Sequence, residues 1–339
     1  MFKKYFILIF LFFISISIFA QKENPRKYFN NVNKAELAII DSNYQGACEY
    51  YKKAFKYLNE PFGKDISNLL RCAFRINDSI ALRFCCVKFK ERAYDDSYYI
   101  KQYGNFKLMS YWRFLMQTID LKPTLNVKFI RKLNELERKD QSIRNKISSP
   151  EEYLELDNNN IKLLYSYMKE NNVYLGENIV GNDTKINEEN GELAGKDYGY
   201  FTGFILLWHY AKSPLIKNLE PINLNLKDEV MMGHFCPITY SSLCEQGYGF
   251  DGSYDLYYSN MYGTSNAENY MAISLTSDTV NIVYKIVKGK KLKDLNKRRK
   301  KIYLYSHQDY IKRIKCMYKQ RKNRNFDFNF GLTFGYMFI

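Results

Sequence analysis

Six polar residues in the middle of the chain have the types and spacings of an acid–base or ligand-holding site: Asp140, Gln141, Arg144, Asp157, Asn160 and His209. Asp140 and Arg144 stand four apart, and Asp157 and Asn160 three apart. On helices each pair therefore shares a face, and Asp140 can pair with Arg144. A carboxylate can orient an imidazole and a guanidinium can hold an anionic group. Asp140, Arg144, Asp157 and His209 are accordingly the catalytic candidates. The competing reading is a buried polar network that fixes helix register, because buried charges are normally paired. No GxSxG elbow and no GxxxxGK[ST] loop accompanies the cluster, so the register reading is preferred. His234, Cys236 and Cys244, with His209, make a poor zinc set, since a single residue separates His234 from Cys236 where ligand pairs have two to four. No metal and no cofactor are expected.

The elements that must position these residues are helical. Val127, Ile130, Leu133 and Leu136 recur at helical spacing and lead into ERKDQSIRNK,. Ser149-Pro150-Glu151-Glu152 reads as a helix start, with a capping serine, a first-turn proline and acids at the positive end of the dipole,. The helix it opens carries Leu154, Asp157, Asn160, Ile161, Leu164 and Met168. NEENG and GELAGKDYG are loop material, and YFTGFILLWHYA is an apolar helix through the core with His209 near its end,. MAISLTSDTVNIVYKIV reads as a β hairpin,. KGKKLKDLNKRRKKIYLY is a basic run assigned to solvated surface, ahead of a last helix on which His307 is expected at the surface,. The tail FDFNFGLTFGYMFI alternates as a strand does, but a lone strand cannot span a membrane,. It would pair with the hairpin or form an exposed edge, and attachment to a surface through it is a third functional possibility.

Upstream, Tyr44, Ala47, Tyr51, Ala54, Phe55 and Leu58 form one helical face closed by Pro61, after a polar lead to about Asn31,. The layout returns after about 34 residues, with Asn43, Ala47, Tyr51 and Phe55 echoed by Asn77, Ala81, Cys85 and Phe89,. This segment resembles degenerate tetratricopeptide repeats. Tyr98 to Met116 supplies a third helix pair, and Pro123 marks a hinge,. The resemblance implies a groove for a protein or peptide partner; the alternative is that the helices only brace the next domain.

The first 20 residues combine Lys3 and Lys4, an apolar run and Ala20, the pattern of a cleaved secretory signal peptide,. No later stretch is long and apolar enough to span a membrane, so a periplasmic or extracellular mature protein is expected. The formal net charge is +15, but the lysines are scattered and carry no nucleic-acid motif, which argues against a nucleic-acid partner. Seven cysteines leave at least one thiol unpaired,. Cys48 with Cys72 could bridge two packed helices, although packing is the preferred reading for cysteines at apolar helical positions.

One ordered set of motifs covers about 130 to 315. It runs Asp140-Gln141 with Arg144, Asp157 with Asn160, His209 with Ala211, Gly233 with Pro237, Tyr262-Gly263-Thr264, and Asn296 with Arg299. In this order they resemble the family named domain of unknown function 6624. Trp208, Glu245-Gln246 and Ser265 depart from its usual residues. The resemblance adds Tyr262, Thr264 and Arg299 to Gln141 and Asn160 as binding candidates, and it implies no activity.

The expected fold is mainly α, with tetratricopeptide-like hairpins over 31–120, the middle domain over 126–318 bearing a small β hairpin, and an aromatic tail strand over 319–339. The favoured function is a protein- or ligand-binding module. A small hydrolase-like or transferase-like enzyme using the Asp/Arg/His cluster is the alternative.

Overall fold

The computed structural model describes residues 23–187, 189–196, 201–212, 226–245, 272–276, 279–283, 288–322 and 328. The chain is mainly helical, with a small antiparallel hairpin toward its C-terminal part. Among the described residues no helix is long and apolar enough to cross a membrane.

Helices α1 (Pro25–Ile40), α2 (Tyr44–Ala54), α3 (Gly63–Ile76), α4 (Ser79–Glu91), α5 (Ser97–Tyr103) and α6 (Met109–Thr118) form the first half. Helix α1 packs on α2, α2 on α3, α3 on α4 and α4 on α6. The helical part begins earlier than the polar lead suggests. Asn24 caps α1 by accepting from the Lys27 amide, and Pro25 supplies a preset first turn,. The predicted face is in place, with Ala47, Tyr51, Ala54 and Leu58 buried and Tyr44 and Phe55 half-buried. Their echoes Ala81, Cys85 and Phe89 are buried too. The echo of Asn43 by Asn77 is different in kind. Asn43 caps α2 through the Gly46 amide, whereas Asn77 ends α3 in the left-handed region at φ 58°, and Asp78 does the capping for α4.

The second half contains α7 (Val127–Arg144), α8 (Pro150–Asn171), α9 (Glu177–Val180), α10 (Phe204–Lys212), α11 (Leu226–Met232), α12 (Pro237–Glu245), α13 (Gly289–Lys301) and α14 (His307–Lys322). Strands β1 (Lys185–Ile186) and β2 (Leu193–Ala194) pair antiparallel where the sequence promised only loop. Strands β3 (Ala272–Thr276) and β4 (Thr279–Val283) are the predicted hairpin, with Thr276 opposite Thr279. Of the tail, residue 328 alone among 323–339 is described, so the expected strand lies outside the described residues.

Two apolar clusters form the core. One runs from Tyr28 to Leu115, the other from Leu125 to Leu304. The last helix joins the first cluster, not the second: Tyr310 and Ile314 of α14 pack there, and Phe328 stacks on Tyr44 at 5.8 Å. The expected boundary at 318 had kept this helix with the middle domain. It is held instead by Arg313, fully buried, whose Nε donates to Glu36 of α1 at 2.6 Å. His307, expected at the surface, is 6 % exposed. Burial, then the neighbouring Arg299 charge, lowers its pKa to about 4. The basic run is itself helix α13, solvated except where Leu295 and Arg299 turn inward.

The halves are joined at the start of α3. Glu177 of α9 accepts from the Gly63 amide, the first residue of α3, and from Arg92 Nη1 at 2.8 Å. A carboxylate at that terminus also meets the positive end of the helix dipole. A β-carbon on Gly63 would lie 2.4 Å from the Tyr94 hydroxyl and 2.9 Å from Glu177, so a larger residue there would have to push those side-chain ends aside.

Candidate functional site

The site is built where α7, α8 and α10 meet. Helix α7 is capped by Asn126, which accepts from the Phe129 amide at 3.0 Å, and it buries Phe129, Ile130, Leu133 and Leu136. That stripe fixes its rotation and turns Asp140 inward. Helix α8 starts as predicted, with Ser149 Oγ accepting from the Glu152 amide at 3.2 Å. Its buried face is Asp157, Asn160, Ile161, Leu164 and Met168. Helix α10 is set on α7 by Glu137, which accepts from the Gly203 amide at 2.8 Å. Gly203 stands at φ +94° with Leu133 where a β-carbon would go, so glycine is required at that turn,.

Asp140 is the hub. Its Oδ1 accepts from Arg144 Nη2 at 2.8 Å and Asn160 Nδ2 at 2.9 Å. Its Oδ2 accepts from Gln141 Nε2 at 2.8 Å and Arg144 Nε at 3.2 Å, and meets His209 Nδ1 at 3.1 Å. Arg144 thus grips the carboxylate with two donors, and its Nη2 also pairs with Asp157,. The Arg144 plane lies over the Tyr153 ring at 5.3 Å.

Burial pushes the Asp140 carboxyl up, but hydrogen bonds from His209 and Arg144 outweigh it and leave the pKa lowered to about 2. For Asp157 burial wins over the pull of Arg144, and its pKa is raised. Burial would lower Arg144, yet its two carboxylate partners leave it raised. An ionised Asp140 can only accept, so the proton of a neutral His209 sits on Nδ1 and Nε2 carries the lone pair. The Asp140 side chain is wholly buried, while those of His209 and Arg144 are 12 % and 16 % exposed. Among the described residues Nε2 meets no hydrogen-bond partner.

Asp140, Asp157 and His209 also bring one ligand atom each within 4.8 Å of one another, the geometry of a cation site. The donor set does not fit one. Both Asp140 oxygens are already filled, and the Arg144 guanidinium lies between the two carboxylates, where it would repel a second cation.

All six residues of the predicted cluster therefore meet. Arg299 does not join them: its Nε donates to the Tyr305 carbonyl at 2.8 Å and its guanidinium faces Tyr305 and Tyr310. Tyr262 and Thr264 lie outside the described residues. The weak zinc set is not assembled, since His234 pairs with Glu229 at 2.8 Å and stacks on Tyr174, while Cys244 is core. The sequence reading missed Glu137 and Tyr153 as positioning residues. Glu137 had a signal, one turn before Asp140 on the same face; Tyr153 had none. It also passed over Gly247-Tyr248-Gly249-Phe250-Asp251-Gly252, which has GxGxxG spacing. That run follows helix α12 rather than a strand, so it lacks the dinucleotide-binding context,.

No family model, no curated protein and no solved structure matches the chain.

Proposed function

We propose that this chain is an exported binding module. A signal peptide over 1–20 directs it to the periplasm or beyond, and the middle domain, akin to domain of unknown function 6624, presents Arg144 and His209 to a small polar ligand. The tetratricopeptide-like helix pairs meet a protein or peptide partner. The observation that carries the reading is the state of Asp140. With five donor contacts on one buried carboxylate, it has no capacity left for a ligand and serves to hold Arg144 and His209 side by side at a rim. Among the described residues Arg144 Nη1 and His209 Nε2 meet no hydrogen-bond partner, and these are the groups offered to the ligand.

A second reading rests on the 3.1 Å contact of His209 Nδ1 with Asp140. A buried carboxylate that fixes the imidazole tautomer leaves Nε2 as a general base. With Asp140, Asp157 and Arg144 charged, the cluster is formally −1, and a proton taken up at His209 neutralises it.

A thermal-shift screen of the mature chain against sugars, peptides, nucleotides, acidic glycans and metals, with His209→Ala alongside, tests both. A compound that stabilises the wild type but not the folded variant supports the binding module. Retained binding with lost turnover in the variant supports the acid–base reading. A variant that merely melts earlier, with no compound acting on the wild type, overturns both and leaves the cluster as scaffold.

A further inference from the structure

The described cysteines are all thiols, and their surroundings separate them. Cys85 Sγ lies 3.6 Å from the Ile66 carbonyl and Cys86 Sγ 3.4 Å from Met116 Sδ. Cys244 is in the second apolar cluster, Cys236 lies near Lys64, and Cys316 is on α14 beside Gln320. Cys48 of α2 and Cys72 of α3 are different. They are 1 % and 0 % exposed and lie on helices that pack together, and Asn68, one turn before Cys72, donates to the hydroxyl of Tyr51, one turn after Cys48, at 3.2 Å, which sets the two cysteines opposite each other across the helix pair.

We infer that Cys48 and Cys72 form a disulfide that clamps α2 to α3 in the exported protein. Two buried thiols set opposite each other across a packed helix pair are placed to bond, and the bond closes a loop of about 25 residues, long enough to constrain the unfolded chain. The inference rests on the export proposed above, because a reducing compartment would keep the pair as thiols. Timing follows from burial. Burial, and then the neighbouring thiol, raises Cys72 well above the ordinary thiol range. A buried thiol of that kind is a poor nucleophile, so the bond forms while the chain folds.

The oxidant is a disulfide, either glutathione disulfide or an oxidised thiol–disulfide oxidoreductase. The Cys48 thiolate attacks one of its sulfurs, giving a mixed disulfide and releasing one thiolate. The Cys72 thiolate then attacks the Cys48 sulfur and expels the second thiolate. Two protein thiols are oxidised, the oxidant is reduced to two thiols, and the protons lost from the cysteines end on those thiols.

The test counts thiols by mass after maleimide labelling in denaturant, on two samples of the full chain. One is exported from its own leader; the other is purified reduced and refolded in a glutathione redox buffer. The expected result in both is two labels fewer than the seven cysteines, with a linked peptide pair containing Cys48 and Cys72. Reduction should lower Tm by roughly 5–10 °C, an effect absent in the Cys48→Ala/Cys72→Ala double variant and retained in Cys85→Ala. Leader removal, read from the same intact mass, reports on export separately. Seven labels on the refolded sample, or a linkage between other cysteines, overturns the inference whatever the export result.

Discussion

Two of the ionic networks among the described residues differ in how much of their arginine is exposed and in how far apart their members lie in the chain. The Asp140 network joins α7, α8 and α10 and ends at a rim, where Arg144 and His209 are partly exposed. The Glu36 network buries both its carboxylates and its arginine, and only Lys64 is partly exposed, at 11 %. Glu36 and Asp65 are fully buried, Lys64 Nζ reaches them at 2.9 and 2.6 Å, Arg313 is on the other oxygen of Glu36, and the Tyr28 hydroxyl donates to Asp65 at 2.6 Å. A network that ends at a rim can offer its donors to a ligand. One whose arginine is wholly buried between helices fixes the packing of α1, α3 and α14.

The contrast predicts that the Glu36 network carries more stability. Glu36→Leu leaves Arg313 and Lys64 buried without their shared partner, which costs about 3–5 kcal/mol for a broken buried pair. Urea unfolding should show this loss, with α14 released first in hydrogen exchange. A loss no larger than that from Asp140→Asn would remove the distinction between the two regions.

The networks also respond to pH in opposite senses. Burial raises Asp65; Lys64 pulls it back and Glu36 pushes it up again, leaving it at about 6. A carboxyl raised in the folded state contributes stability that is fully present below about pH 4 and is lost as pH rises through 6. Asp140, lowered to about 2, contributes above about pH 4, and that contribution is lost as pH falls toward 2. Asp65→Asn should therefore flatten the decline in stability between about pH 4 and 6, worth roughly 3 kcal/mol at about two pKa units. Asp140→Asn should flatten only the acid limb. Denaturant midpoints measured from about pH 2 to 8 separate the two, and identical profiles would count against the assignment.

Asp140→Asn has a second use at neutral pH. The new amide must turn its NH₂ toward donors on one side or the other, whichever way it is placed. The expected cost is about 2 kcal/mol, with one relief available: His209 can move its proton to Nε2 and accept at Nδ1. Imidazole nitrogen shifts should show that exchange of tautomer. An unchanged tautomer would mean that the amide turns its oxygen to His209 instead, and the acid–base reading falls only if Asp140→Ala, which removes both oxygens, also leaves the tautomer unchanged.

The difference between the networks also decides what could be read from the sequence. Asp140 with Arg144 and Asp157 with Asn160 are pairs one helical turn apart, and periodicity puts such pairs on one face before any fold is known. The apolar stripe of α7 and the Ser149 cap were visible for the same local reason. Glu36 and Arg313 meet across 277 positions, and no local pattern marks them. A buried arginine looks like a surface one until the helix it faces is placed. His307 was misjudged for that reason, and the packing of α14 in the first apolar cluster was not legible either. The apolar run of α10 showed where His209 would lie along a helix but not which face it would take. That was set by the Glu137 contact with Gly203.

The smallest predicted effect tests whether the rim network depends on local helix chemistry or on the hub. Ser149→Ala removes the acceptor for the Glu152 amide at the start of α8, and should cost about 1 kcal/mol. Pro150 keeps the first turn preset, and Asp157 and Asn160 lie farther along the helix, held by Arg144 and Asp140. Thermal unfolding should therefore shift by only a few degrees, with His209 nitrogen shifts unchanged. Should those shifts move toward the pattern of Asp140→Asn, the cap would be positioning the site, and the network would be the consequence of α8's placement instead of its cause.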